Sequence, residues 1–99
     1  MAQKKIIEAL RFLERQLKES GLSVSKVLLF GSQTKGNSNA DSDIDVAVIS
    51  NDFKNKNIFQ RANITKQAEI LTIKKFMLPL DIITLTVEEA KNRFALMQK

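Results

Sequence analysis

"KVLLFGSQTKGNSNADSDIDVAVIS", from Lys26 to Ser50, holds a strand, a polar loop and a second strand in one stretch. "KVLLF" (Lys26–Phe30) is a short apolar run that stops at Gly31, the length and boundary of a buried strand. "SQTKGNSNADS" is polar and rich in turn formers, which predicts a loop or a frayed short helix. "IDVAVIS" (Ile44–Ser50) is apolar and β-branched, which predicts a second strand. Where the second strand begins, Asp41, Asp43 and Asp45 crowd into five positions of a chain with 16 Lys and Arg against 11 Asp and Glu.

The flanking sequence completes an α/β (α+β) pattern. Ile6, Leu10, Leu13 and Leu17 recur at helical spacing with Ile7 beside them, predicting an amphipathic helix from Ala2 to Ser20 with Gly21 as its C-terminal cap. Asn51–Asn57 reads as a loop and Ile58–Phe76 as a second helix, which Pro79 ends. The apolar face of that helix is uneven: Ala62, Thr65, Ala68 or Glu69, then Leu71 to Ile73. "LDIITLT" (Leu80–Thr86) predicts a third strand. Thr86 with Glu89 three residues on forms a capping box for a last helix over Val87–Met97. The expectation is one domain over residues 1–99, a small mixed β-sheet with helices packed against it.

Composition narrows the chemistry. The 99 residues include no Cys, His, Tyr or Trp. That removes disulfides, thiol nucleophiles, Ser-His-Asp triads and imidazole metal sites. What remains is Asp, Glu, Ser, Thr, Lys, Arg and backbone amides, the groups that hold Mg²⁺ and phosphate. No apolar run approaches the ~20 residues of a membrane span, and the N-terminus lacks the apolar core of a signal peptide. A cytoplasmic protein is expected. The net charge of +5 is compatible with nucleotide, nucleic-acid or acidic-protein partners. Its lysines are dispersed and only Phe could stack on bases, so direct nucleic-acid binding is not expected.

Side chains alternate along a strand, so Asp43 and Asp45 share one face while Ile44 and Val46 point into the core. Two carboxylates on one face repel unless a cation or proton lies between them. All-oxygen ligands favour Mg²⁺, with Mn²⁺ possible. Asp81 opens the third strand. If that strand neighbours the second, three carboxylates meet, enough for two metal ions that clamp the attacking and leaving oxygens of a phosphoryl or nucleotidyl transfer. Gly31 lets the backbone approach a ligand closely, and the Ser32 hydroxyl with the following amides can hold a phosphate. Lys35 and Gly36 add a cation nearby. Each piece alone is an ordinary turn or a solvated acid, and their combination in this order is what carries the reading. Asp41 is read as solvated.

"GSQTKGNSNADSDIDVAV" resembles the signature of the polymerase-β-like nucleotidyltransferases, Gly-Ser followed by Asp-x-Asp. The short loop, the "SDID" and the later "LDIIT" strand are similar to the minimal nucleotidyltransferase (MNT) branch. The resemblance implies transfer of a nucleoside monophosphate, AMP from ATP, to a hydroxyl. Gly31, Ser32, Lys35, Gly36 and Ser42 would bind the nucleotide, and Asp43, Asp45 and Asp81 would be catalytic and hold two Mg²⁺ ions. Lys35-Gly36 stands where the family usually has Arg-Gly, which keeps the charge but loses the bidentate fork. Stand-alone members usually pair with a HEPN-domain toxin, and in some such pairs the MNT antitoxin adenylylates a tyrosine of the toxin. That implies an acceptor supplied by a HEPN partner, and oligomeric state is left open. Two other readings stand beside it: a non-catalytic antitoxin that neutralises by covering its partner, and an antibiotic-type small-molecule nucleotidyltransferase, which usually carries an added helical domain.

Overall fold

The computed structural model describes residues 2–30 and 44–97. The order is α1 (Ala2–Glu19), β1 (Lys26–Phe30), β2 (Ile44–Ile49), a 3₁₀ turn (Asn51–Phe53), α2 (Ile58–Phe76), β3 (Leu80–Leu85) and α3 (Val87–Met97). The helices and strands are those the sequence predicts, with ends moved by a residue, while the stretch read as a loop from Asn51 opens with a 3₁₀ turn. Ser20 lies in the turn after α1, and Thr86 caps α3 outside the strand.

The sheet runs in the order β1-β2-β3. β1 pairs antiparallel with β2, and Phe30 lies opposite Asp45. β2 pairs parallel with β3, Ile44 opposite Leu80 and Asp45 opposite Asp81. The parallel pair needs a crossover, and α2 is that crossover.

Strand alternation sorts the residues into two faces. Val27, Leu29, Ile44, Val46, Val48, Leu80 and Ile82 pack with Leu13 and Leu17 of α1 and Ala68 of α2. Leu28, Ala47, Ile49, Ile83 and Leu85 pack with Val87 and Ala90 of α3. Asp45 and Asp81, by the same alternation, belong to the α3 side.

Each helix end has a physical reason. Gly21 at φ +102° ends α1 in a Schellman motif: Leu22 N–H donates to Leu17 O at 3.1 Å and Gly21 N–H to Lys18 O at 3.0 Å. Leu22 is then buried in the core. Asn57 caps α2 through a capping box with Gln60, both bonds at 2.8 Å. The C-cap of α2 is Met77, held left-handed at φ 53°. The uneven face of α2 has a cause as well. Its buried positions are the small residues Thr65, Ala68 and Thr72, so the helix lies close to the sheet, while Ala62 and Leu71 face solvent.

Candidate active site

Asp45 and Asp81 are the second residues of β2 and β3, and they are register partners in the parallel pair. Neighbouring strands lie about 4.8 Å apart, and partners in register project on the same side of the sheet. Asp45 is half-buried and Asp81 is exposed. The proximity that the sequence left conditional, Asp81 beside Asp45, is therefore what the topology provides. Among the described residues neither carboxylate has a hydrogen-bond or ion-pair partner. The chain leaves the sheet at Phe30, opposite Asp45, and re-enters at Ile44. Both ends of the signature loop thus sit at the strand ends that carry the aspartates. Gly31, Ser32, Lys35, Gly36, Ser42 and Asp43 lie outside the described residues. Among the described residues no group of three carboxylates forms.

A cleft of about 590 Å³ runs along the outer edge of β3, between α2 and the strand, and Asp81 opens into it. Two of its residues were not singled out by sequence as part of a site. Glu69, half-buried on α2, lines the same cleft. Burial pushes its carboxyl above the usual range, and the neighbouring Asp81 charge raises it further. Arg61, about two turns earlier on the same side of α2, closes the far end. Its Nη1 donates to Glu89 Oε1 at 2.8 Å and to Thr84 O at 3.3 Å, Nη2 donates to Glu89 Oε2 at 3.3 Å, and Nε donates to Lys56 O at 2.9 Å. The guanidinium also stacks 5.8 Å from the Phe53 ring centroid. The hydrogen bonds from Arg61, then that from the Thr86 N–H, hold the Glu89 carboxyl below its usual range. Arg61 therefore straps α2 to α3 around the sheet edge, leaving the cleft open toward Asp81.

A family model described as "Polymerase beta, Nucleotidyltransferase" matches residues 5–98. The chain belongs to the polymerase beta nucleotidyltransferase family. The fold agrees: a crystal structure of a Sulfolobus solfataricus protein assigned as a nucleotidyltransferase superposes with a TM-score of 0.52 at 22% identity, covering 89% of this chain and 78% of that one. No curated protein matches. The domain is thus of the nucleotidyltransferase type, with the mixed three-stranded sheet and three helices of the polymerase-β-like fold. In this member of the family, the donor set fits a hard divalent cation. The two described carboxylates are adjacent, offer only oxygen and have no described cationic side chain between them. Among the described residues no helix is long and apolar enough to cross a membrane.

Proposed function

We propose that this chain transfers AMP from ATP to a hydroxyl on a partner protein, as an MNT antitoxin acting on a HEPN-domain toxin in the cytoplasm. The observation that carries the reading is the register pairing of Asp45 with Asp81 at the sheet end where the Gly-Ser to Asp-x-Asp loop departs and returns. Asp43, Asp45 and Asp81 would hold two Mg²⁺ ions, and Gly31, Ser32, Lys35, Gly36 and Ser42 would cradle the triphosphate. Bound Mg²⁺ neutralises charge developing on the phosphate oxygens. Asp81, exposed at the cleft mouth, accepts the acceptor's hydroxyl proton and passes it to water. The acceptor oxygen bonds to the α-phosphorus, the α–β bridging P–O bond breaks, and pyrophosphate leaves with that electron pair. The products are the AMP ester, pyrophosphate and one proton.

Calorimetric titration of ATP, with and without Mg²⁺, tests the site. Binding that requires Mg²⁺ and is lost in Asp45→Asn is the expected outcome. Binding that ignores both the metal and the substitution would refute it. Co-expression with the HEPN protein tests the antitoxin role. Asp45→Asn should abolish neutralisation while leaving the complex intact, and retained neutralisation would favour covering over catalysis.

A further inference from the structure

β3 is an edge strand, and its hydrogen-bond parity tells which backbone groups face outward. Ile44 N–H donates to Pro79 O at 2.9 Å and Ser50 N–H to Leu85 O at 2.9 Å. With Asp45 in register with Asp81, residues 81, 83 and 85 turn their N–H and C=O toward β2. Leu80, Ile82 and Thr84 turn theirs to the open side. Arg61 supports this parity independently, because its Nη1 reaches the Thr84 carbonyl from outside the sheet. Among the described residues the outward N–H and C=O of Ile82 have no hydrogen-bond partner. They face the cleft that Asp81 and Glu69 line.

Exposed edges invite pairing, and proteins cover them where pairing is harmful. Here the Arg61–Glu89 strap covers only the Thr84 end. Among the described residues, the end without a hydrogen-bond partner is the one beside Asp45 and Asp81. We infer that the acceptor segment of the partner protein docks as a short extended strand on this edge, pairing with Ile82, stopping at Arg61, and presenting a basic residue to Glu69 beside its acceptor hydroxyl. The inference rests on the nucleotidyl-transfer reading above and adds the form of the acceptor.

Backbone chemistry selects a peptide. Alternating donors and acceptors at strand spacing are matched by another peptide backbone. A nucleic-acid strand offers phosphate acceptors and negative charge, which Glu69 and Asp81 repel. Charge selects a basic segment. The Glu89 charge is neutralised by Arg61, and Lys56 lines the cleft at the end that Arg61 closes, where its carbonyl accepts from Arg61 Nε. Asp81 is shared with the metal site, whereas Glu69, beside Asp81, has no cationic partner among the described residues. The net charge of +5 does not override this. Exposed charges farther than ~8 Å are screened at physiological salt, so the groups lining the cleft decide.

The test uses a random lysine–tyrosine copolymer as acceptor probe, with a glutamate–tyrosine copolymer and tyrosine amide as comparators. Two quantities are read on the wild-type chain with Mg²⁺ and ATP: label transfer from α-labelled ATP, and amide hydrogen exchange at Ile82 and Thr84. The lysine copolymer should be labelled on the order of tenfold faster than either comparator, a factor equivalent to one well-placed charge interaction. It should also slow exchange at Ile82 and Thr84, which ATP alone should not do. Glu69→Lys should reverse the copolymer preference, and the exchange readout stands even if that variant folds poorly. Equal labelling of the amide and the polymer, or labelling without slowed exchange, would overturn the docking mode. Mg²⁺-dependent ATP binding with no polymer labelled would overturn it while leaving the nucleotide site standing. Absence of ATP binding would remove both.

Discussion

Asp45 faces two opposed demands. Without a cation, it and Asp81 are like charges in register, an arrangement that costs roughly 0.2–1 kcal/mol across a strand pair. In the proposed site the same pair would hold the cation. Asp45→Asn should therefore raise the stability of the metal-free chain by a few tenths of a kcal/mol to about 1 kcal/mol. It should also lower transfer activity by roughly 100-fold or more, the several kcal/mol a bound metal supplies. Urea unfolding in EDTA beside an initial-rate assay checks both, and a variant that loses stability and activity together would point to a structural aspartate. Met77 is a separate case. It holds the left-handed C-cap of α2 and is 77% exposed, so it has strain and little packing to offset it. Met77→Gly removes about 1–2 kcal/mol of left-handed strain and returns part of it as unfolded-chain entropy. The expected net gain is about 0.5–1 kcal/mol, read as a shifted urea midpoint at unchanged slope. Nothing in the sequence marked this position, because Met is not the residue a left-handed cap usually carries.

At the scale of elements, the strap between α2 and α3 makes a pH-dependent contact. Glu89 accepts from Arg61 and, through Oε1, from the Thr86 N–H, while Thr86 Oγ1 accepts from the Glu89 N–H. Its folded carboxyl is held down, so its contribution is fully present above the ordinary glutamate range and is lost as pH falls through the lower folded value. The Glu89 side chain is 45% exposed against 13% for Arg61, so solvent screening limits the ion pair itself to less than about 1 kcal/mol. Glu89→Gln keeps a capping acceptor and loses the charge. It should unfold with a shallower acid limb than the wild type, in urea titrations from pH 7 to pH 3, at a cost near neutrality of about 0.5 kcal/mol. Arg61→Ala should cost more, ~1–3 kcal/mol, because it strands carbonyls at Lys56 and Thr84 as well. The Thr86–Glu89 cap and the Gly21 stop were legible because their residue types admit few other roles. The Asn57–Gln60 box is a weaker signal, because its N-x-x-Q pattern lies within a run of Asn and Lys that reads equally as loop. Strand neighbours were not legible, since a sequence of three short apolar runs does not say which pairs with which. Glu69 was hidden for a related reason: the small buried residues of α2 blur its periodicity, so its cleft-facing side could not be separated from its solvent side.

For the whole molecule, the two aspartates connect the catalytic reading to global stability. β2 is the central strand, and its side chains fill both apolar clusters, Val46 and Val48 on one face and Ala47 and Ile49 on the other. Asp45 is its first charged residue, so relief of repulsion there is felt by the element on which the rest of the fold pairs. A ligand that binds the folded chain alone stabilises it by RT ln(1 + [L]/Kd), about 1.4 kcal/mol at ten times Kd. For a domain of this length that is a rise of roughly 6–11 °C in Tm. Mg²⁺ with ATP should produce such a shift, Mg²⁺ alone a smaller one, and ATP in EDTA none. Asp45→Asn should begin from an equal or higher Tm and respond to neither. A nucleotide held only by the signature loop would instead raise Tm in EDTA as well, and the shift would survive Asp45→Asn. The thermal series therefore separates a site built on the register pair from one built on the loop alone, and it does so before any acceptor is in hand.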